Sequence, residues 1–195
     1  MPQNPAAANP VMEFLSSRRS RPLKTLTAPA PDRAALMPIL RAAVRVPDHG
    51  KLEPWRLVVL ERAALDRLAA LAVKKGEELG IAEDKRPKGV AQFADSPLCV
   101  AVIAVPRATD KVPLIEQTLS AGAVCLGLVN AALASGWGAS WLTGWVAHEA
   151  GFAREAFGLQ DGEWVAGLIH IGSETSAPPE RPRPDIDTIT TWVSA

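Results

Sequence analysis

No tyrosine occurs in the 195 residues, and there are only two cysteines, Cys99 and Cys125. The first absence removes a phenolic acid–base group from any mechanism. The second, with no C-x-x-C spacing, excludes a disulfide framework and speaks against a cysteine-built zinc site. Net charge is missing too: Lys+Arg and Asp+Glu both number 21, so no basic field exists to hold a nucleic acid or a membrane surface. The motifs G-x-G-x-x-G, Walker A, G-x-S-x-G and H-E-x-x-H are absent, and no metal set is expected. An enzyme with this inventory has to take its chemistry from a bound organic cofactor.

What is present describes a globular chain, with 48% hydrophobic and 22% charged residues and a length suited to one domain. Charge is unevenly spread. From Gln117 to Ala147 no side chain carries a formal charge. The run is long enough to span a membrane, yet Ser120, Asn130, Ser135, Ser140, Thr143 and five glycines interrupt its apolarity. A buried helix followed by a strand at a subunit interface fits better. The start, MPQNPAAANP, has neither a basic region nor an apolar core, so it reads as a disordered lead-in over residues 1–11. Residues 12–195 are then a single domain with a C-terminal extension, expected in the cytoplasm with no membrane or nucleic-acid partner.

Hydrophobic spacing predicts helices over 11–17, 32–44 (capped by Asp32), 62–79 and 112–134, with a short helical piece around Val90. Pro38 is expected to shorten or kink the second. Strands are predicted over 55–60, 98–105, 136–142 and 164–171. The Pro-rich tail, 178–184, should run extended over the surface or onto a partner. Helices and strands alternate, but strand order cannot be read from the pattern.

Three clusters are able to carry chemistry. Arg18-Arg19-Ser20 ends the first helix, and its guanidinium forks and hydroxyl suit a phosphate. The alternative reading is that the same arginines merely answer the helix dipole. Arg45-x-Pro47-Asp48-His49-Gly50 is either a binding loop or an ordinary polar loop. His148 reads as a helix-start residue and His170 as a structural one. Trp137, Ala139 and Trp141 share one face of a strand, where packing in the core and stacking on a flat ligand are both open.

Taken in series, four segments resemble the FMN-dependent nitroreductase family, in its short bacterial NAD(P)H form. They are Arg18-Arg19-Ser20; Arg45-x-Pro47-Asp48-His49 leading to Pro54-Trp55; Lys111-Val112-Pro113-x-x-Glu116-Gln117-x-x-Ser120-Ala121-Gly122; and Gly138-x-x-Trp141-x-x-Gly144. Their order agrees with the family across residues 12–175. The resemblance implies an α+β, three-layer fold with a mostly antiparallel sheet between helices, and a homodimer with FMN at its interface. It places Arg18, Arg19 and Ser20 on the FMN phosphate, Arg45 and His49 on the partner subunit's flavin, and Trp141, Leu142 and Thr143 around the rest of the cofactor. The stretch Ala131, Ala132, Leu133, Ala134, Ser135 and Gly136 matches where the family meets a nicotinamide nucleotide. NADH or NADPH would deliver hydride in a ping-pong cycle, and a nitroaromatic or quinone-like small molecule would accept two electrons. A non-catalytic flavin-binding dimer, or a relative that fragments its own flavin, are the alternatives.

Overall fold

Every residue of the strand Leu98–Ala104 is buried, because both of its faces are covered. In the computed structural model, which describes residues 9–194, this strand (β3) lies inside a five-stranded, wholly antiparallel sheet. The other strands are β1 (Leu26–Thr27), β2 (Trp55–Leu60), β4 (Gly138–Leu142) and β5 (Trp164–Glu174). Residues Leu168–Ile171 of β5 pair with β3 and also with β4, so β5 lies between those two. β2 pairs with the far side of β3, and β1 joins the distal end of β5.

The side-chain alternation of β3 sorts the helices into two outer layers. Leu98, Val100 and Val102 pack with α2 (Arg33–Ala43) and α5 (Leu114–Ala134). Cys99, Ala101 and Ile103 face α3 (Arg62–Glu78), α4 (Arg86–Ala94), α6 (Trp145–His148) and α7 (Ala150–Phe157). Phe93, Phe152 and Phe157 fill that second layer, with Trp145 set edge-on to Phe152 at a centroid distance of 5.1 Å. Helix–sheet–helix layering with antiparallel pairing is the α+β arrangement expected from the resemblance.

Several boundaries moved for identifiable reasons. Pro113 takes the cap position, so α5 starts at Leu114 rather than Val112. Its end is a Schellman turn: Trp137 N–H bonds Ala132 C=O and Gly136 sits at φ 84°, which delays β4 to Gly138. β5 runs past Ile171 to Glu174, because β1 offers a further partner. Pro38 lies within α2 without ending it. His148 closes α6 instead of opening a helix. The first helix, α1 (Pro10–Ser17), begins just before Met12, with the Asn9 side chain accepting from Val11 N–H. Residues 1–8 of the expected lead-in lie outside the described residues. The tail has no helix or strand from Pro178 to Pro184, then forms α8 (Ile186–Ile189).

Helix α5 is long and apolar enough to cross a membrane by composition alone. Here it packs against α2, β3, β4 and β5, which identifies it as a core helix.

Candidate functional site

The first patch grows from the end of α1. Arg18 caps the helix with its N–H on Phe14 C=O, so residues 18–21 leave it extended. Arg21 N–H bonds Ala139 C=O on β4, and Arg21 Nε bonds Glu174 Oε2 at 2.7 Å. This fixes the segment to the sheet. Arg18 then donates to Ser20 Oγ (3.3 Å), and Arg19 Nη1 donates to Pro179 C=O (2.8 Å) and Glu180 Oε1 (3.3 Å). Arg183 reaches the same Glu180 oxygen at 3.2 Å. Burial first, then the charges of Arg183, Arg19 and Arg21, lower the pKa of Arg18. Its Nε is buried without a hydrogen-bond partner. Gathered guanidiniums with an unused donor make a ready oxyanion cradle.

The second patch is the loop before β2. Asp48 accepts from Leu52 N–H (3.1 Å) and Glu53 N–H (2.9 Å), folding the loop on itself. Gly50, Lys51 and Glu53 all adopt positive φ; for the last two that is a strained conformation of the kind that clusters at binding sites. Ser120 of α5 donates to Pro47 C=O (2.8 Å) and accepts from Trp55 Nε1 (3.1 Å), while His49 Nδ1 lies 2.7 Å from Glu116 Oε2. These contacts pin the loop to the first turns of α5. Pro47, His49, Glu116, Leu119, Ser120 and Ala123 line an open cavity of about 380 Å³. Arg45, two residues before Pro47, is exposed. Leu114, Ile115, Leu119 and Leu126 extend the apolar surface along α5, all of them exposed.

The third group closes β4. Trp141 packs against Gly167, where an added Cβ would clash with its indole Nε1 and Cδ1, and its ring approaches Gly122 of α5. It is 40% exposed, so the indole is part core and part surface. Leu142, Thr143 and Gly144 line a cavity of about 490 Å³ together with Lys24, Lys88 and Gln92. Gln92 Nε2 donates to Thr143 C=O at 2.5 Å.

The structure thus brings Arg18, Arg19 and Ser20 together, His49 onto α5, and Leu142 and Thr143 to one cavity, while among the described residues no hydrogen bond or ion pair links the first set to His49. Ala131–Gly136 occupies the last turn of α5 and the turn beyond it. At ~1.5 Å per residue this lies on the order of 20 Å along the helix from Glu116. Ala132 is in the core, and Ala134, Ser135 and Gly136 are exposed. Sequence reasoning missed Arg183, Lys24, Lys88 and Gln92. The Arg-Pro-Arg of the tail was a usable signal for the first, but its approach to Arg18 is visible only in the fold.

Other reactive groups are inert. Burial pushes the Cys99 thiol up and the Cys125 thiol up to about 12, so neither is a thiolate near neutrality. Burial pushes His170 down to about 3, and its Nδ1 pairs with Ser96 Oγ at 2.9 Å, as a structural histidine would. Among the described residues no cluster of His, Cys, Asp and Glu is placed to hold a metal. A cavity of about 510 Å³ between α2 and β2 touches none of the candidate residues.

Comparison with known proteins gives this arrangement a context. The profile described as "Nitroreductase family" matches residues 15–173. A Haemophilus influenzae protein named "Putative NAD(P)H nitroreductase" is 38% identical over 164 residues, covering 83% of this chain and 87% of that one. A nitroreductase-like family protein from Bacillus cereus shares the fold, with a TM-score of 0.75 at 23% identity over 95% of this chain and 96% of that one. So does a mutant of the FMN and NADPH-dependent nitroreductase NfnB from Sphigopyxis sp. strain HMH, with a TM-score of 0.71 at 20% identity over 93% and 97%.

Proposed function

Because the chain belongs to the nitroreductase family, we propose that it is an FMN-dependent oxidoreductase that passes two electrons from NADH or NADPH to a nitroaromatic or quinone-like acceptor. The observation that carries this reading is the arginine cradle, with the unpartnered Arg18 Nε at its centre. Arg18, Arg19 and Ser20, joined by Arg183, would hold the cofactor phosphate. Trp141, Leu142 and Thr143 would border the ring, with the lysines 24 and 88 adding positive charge at that edge. Such charge favours a ring that has gained electrons. When bound, FMN supplies the hydride chemistry that no side chain here offers, in a ping-pong order.

The unit is a homodimer in this proposal. The partner subunit's Arg45 and His49 would complete each site, which agrees with their separation from Arg18 within one chain. The exposed apolar row of α5 and the half-exposed Trp141 supply the kind of surface an obligate interface covers. Thr188 to Val193 of the tail would reach across, and cytoplasmic pyridine nucleotides would be the donors.

The test is a titration of the purified protein with NADH and then NADPH in the absence of oxygen. The visible absorbance of the oxidised flavin should bleach with one of the two and return when a nitroarene is added. A bound flavin that stays oxidised with both donors contradicts the enzymatic reading and leaves a flavin-binding protein.

A further inference from the structure

Glu180 is an acid lodged where the fold otherwise gathers positive charge. One oxygen, Oε1, accepts from Arg19 Nη1 (3.3 Å) and the Arg181 backbone N–H (2.8 Å), and Arg183 Nη2 forms an ion pair with it at 3.2 Å. The tail segment that carries it is tied down by Arg19 Nη1 on Pro179 C=O. Two guanidiniums and a backbone N–H converging on one oxygen are what an oxyanion ligand would receive at that place. Arg18, in the same cluster, keeps its Nε unpartnered.

We propose that Glu180 is a built-in anion that competes with the cofactor's phosphate for Arg19 and Arg183, so that affinity for a phosphorylated flavin is set by exchange of this carboxylate for the phosphate. The inference rests on the reading that the cradle receives the FMN phosphate. The exchange is unequal. A phosphate monoester brings about −1.5 to −2 charges and three acceptor oxygens at pH 7, against a single charge on Glu180. The Glu180 side chain is 70% exposed, so once displaced it returns to water with little penalty. Arg18 has no acceptor on its Nε to surrender, and competition therefore falls on Arg19 and Arg183. A flavin without a phosphate does not engage these groups at all.

The experiment compares the full-length chain, freed of flavin, with its Glu180→Gln variant. Each is titrated with FMN and with riboflavin by quenching of flavin fluorescence, at low salt. The variant should bind FMN roughly three- to tenfold more tightly, the range set by one exposed ion-pair network, and riboflavin equally well. FMN affinity that is unchanged or weaker in Glu180→Gln overturns the proposal. Inorganic phosphate serves as a second probe, through its effect on the melting temperature. Its stabilisation should be larger in Glu180→Gln than in the parent, and an equal response overturns the exchange. If the parent binds neither flavin but phosphate shows the expected difference, the exchange stands and the FMN reading falls.

Discussion

Replacing Arg18 and Arg19 together with alanine is expected to raise the FMN dissociation constant at least ~100-fold while leaving the fold in place. A hydrogen bond to a charged group contributes about 1.5–3 kcal/mol, so losing two phosphate-directed guanidiniums removes roughly 3–6 kcal/mol of binding. The fold has little at stake. Arg18 and Arg19 make their side-chain contacts with Ser20, Pro179 and Glu180, all on the surface, whereas the sheet is stitched through Arg21. Far-UV circular dichroism should therefore match the parent, and the flavin titration should not. A double variant that retains FMN with parental affinity would place the phosphate elsewhere.

The second large effect concerns the contact that holds the His49 loop in position. Gly127 of α5 faces the backbone of α2: a Cβ there would lie 2.6 Å from the Ala43 carbonyl oxygen and 3.1 Å from its Cα. Backbone on both helices leaves nothing that can swing aside. Gly127→Ala should therefore lower unfolding free energy by about 1–3 kcal/mol in urea denaturation, the usual cost of overpacking. Glycine to alanine within a helix normally works in the opposite direction by up to about 1 kcal/mol. Gly122, one and a half turns earlier on the same helix, has its nearest neighbour at 3.9 Å and should tolerate alanine in the isolated chain. A Gly127→Ala protein as stable as the parent would contradict the α2–α5 packing. Because Val44 and Arg45 follow directly on α2, a shift there also moves Pro47 and His49 relative to Glu116 and Ser120.

How much of this was visible beforehand differs by element. β3 could be read directly, since a seven-residue apolar run covered on both faces leaves no polar position. Asp32 announced α2 by its side chain, which caps Ala35 N–H as expected. α5 was evident from its uncharged stretch, including its end at Ala134, but the start of the following strand was not, because Gly136 serves the Schellman turn. Antiparallel order came from family resemblance alone; alternation of helices and strands suits parallel sheets equally well. The site was half legible. Arg18-Arg19-Ser20 and Pro47-Asp48-His49 are local clusters, and local clusters survive in a sequence. Arg183 with Arg18, Glu116 with His49 and Gln92 with Thr143 are brought together by the fold from distant parts of the chain. No spacing rule connects them. The tail forms no helix or strand over residues 178–184, and its return onto Arg19 through Pro179 depends on where β5 ends.

The central claim is a shared site, with the phosphate cradle of one chain completed by the Arg45–His49 loop of another. Native mass spectrometry of the purified protein addresses it most directly, because mass reports subunit number and cofactor number together. The account predicts a dimer carrying two FMN molecules, with no loaded monomer surviving gentle dissociation. A monomer that keeps its FMN, or a dimer that carries no flavin after incubation with excess FMN, would contradict it.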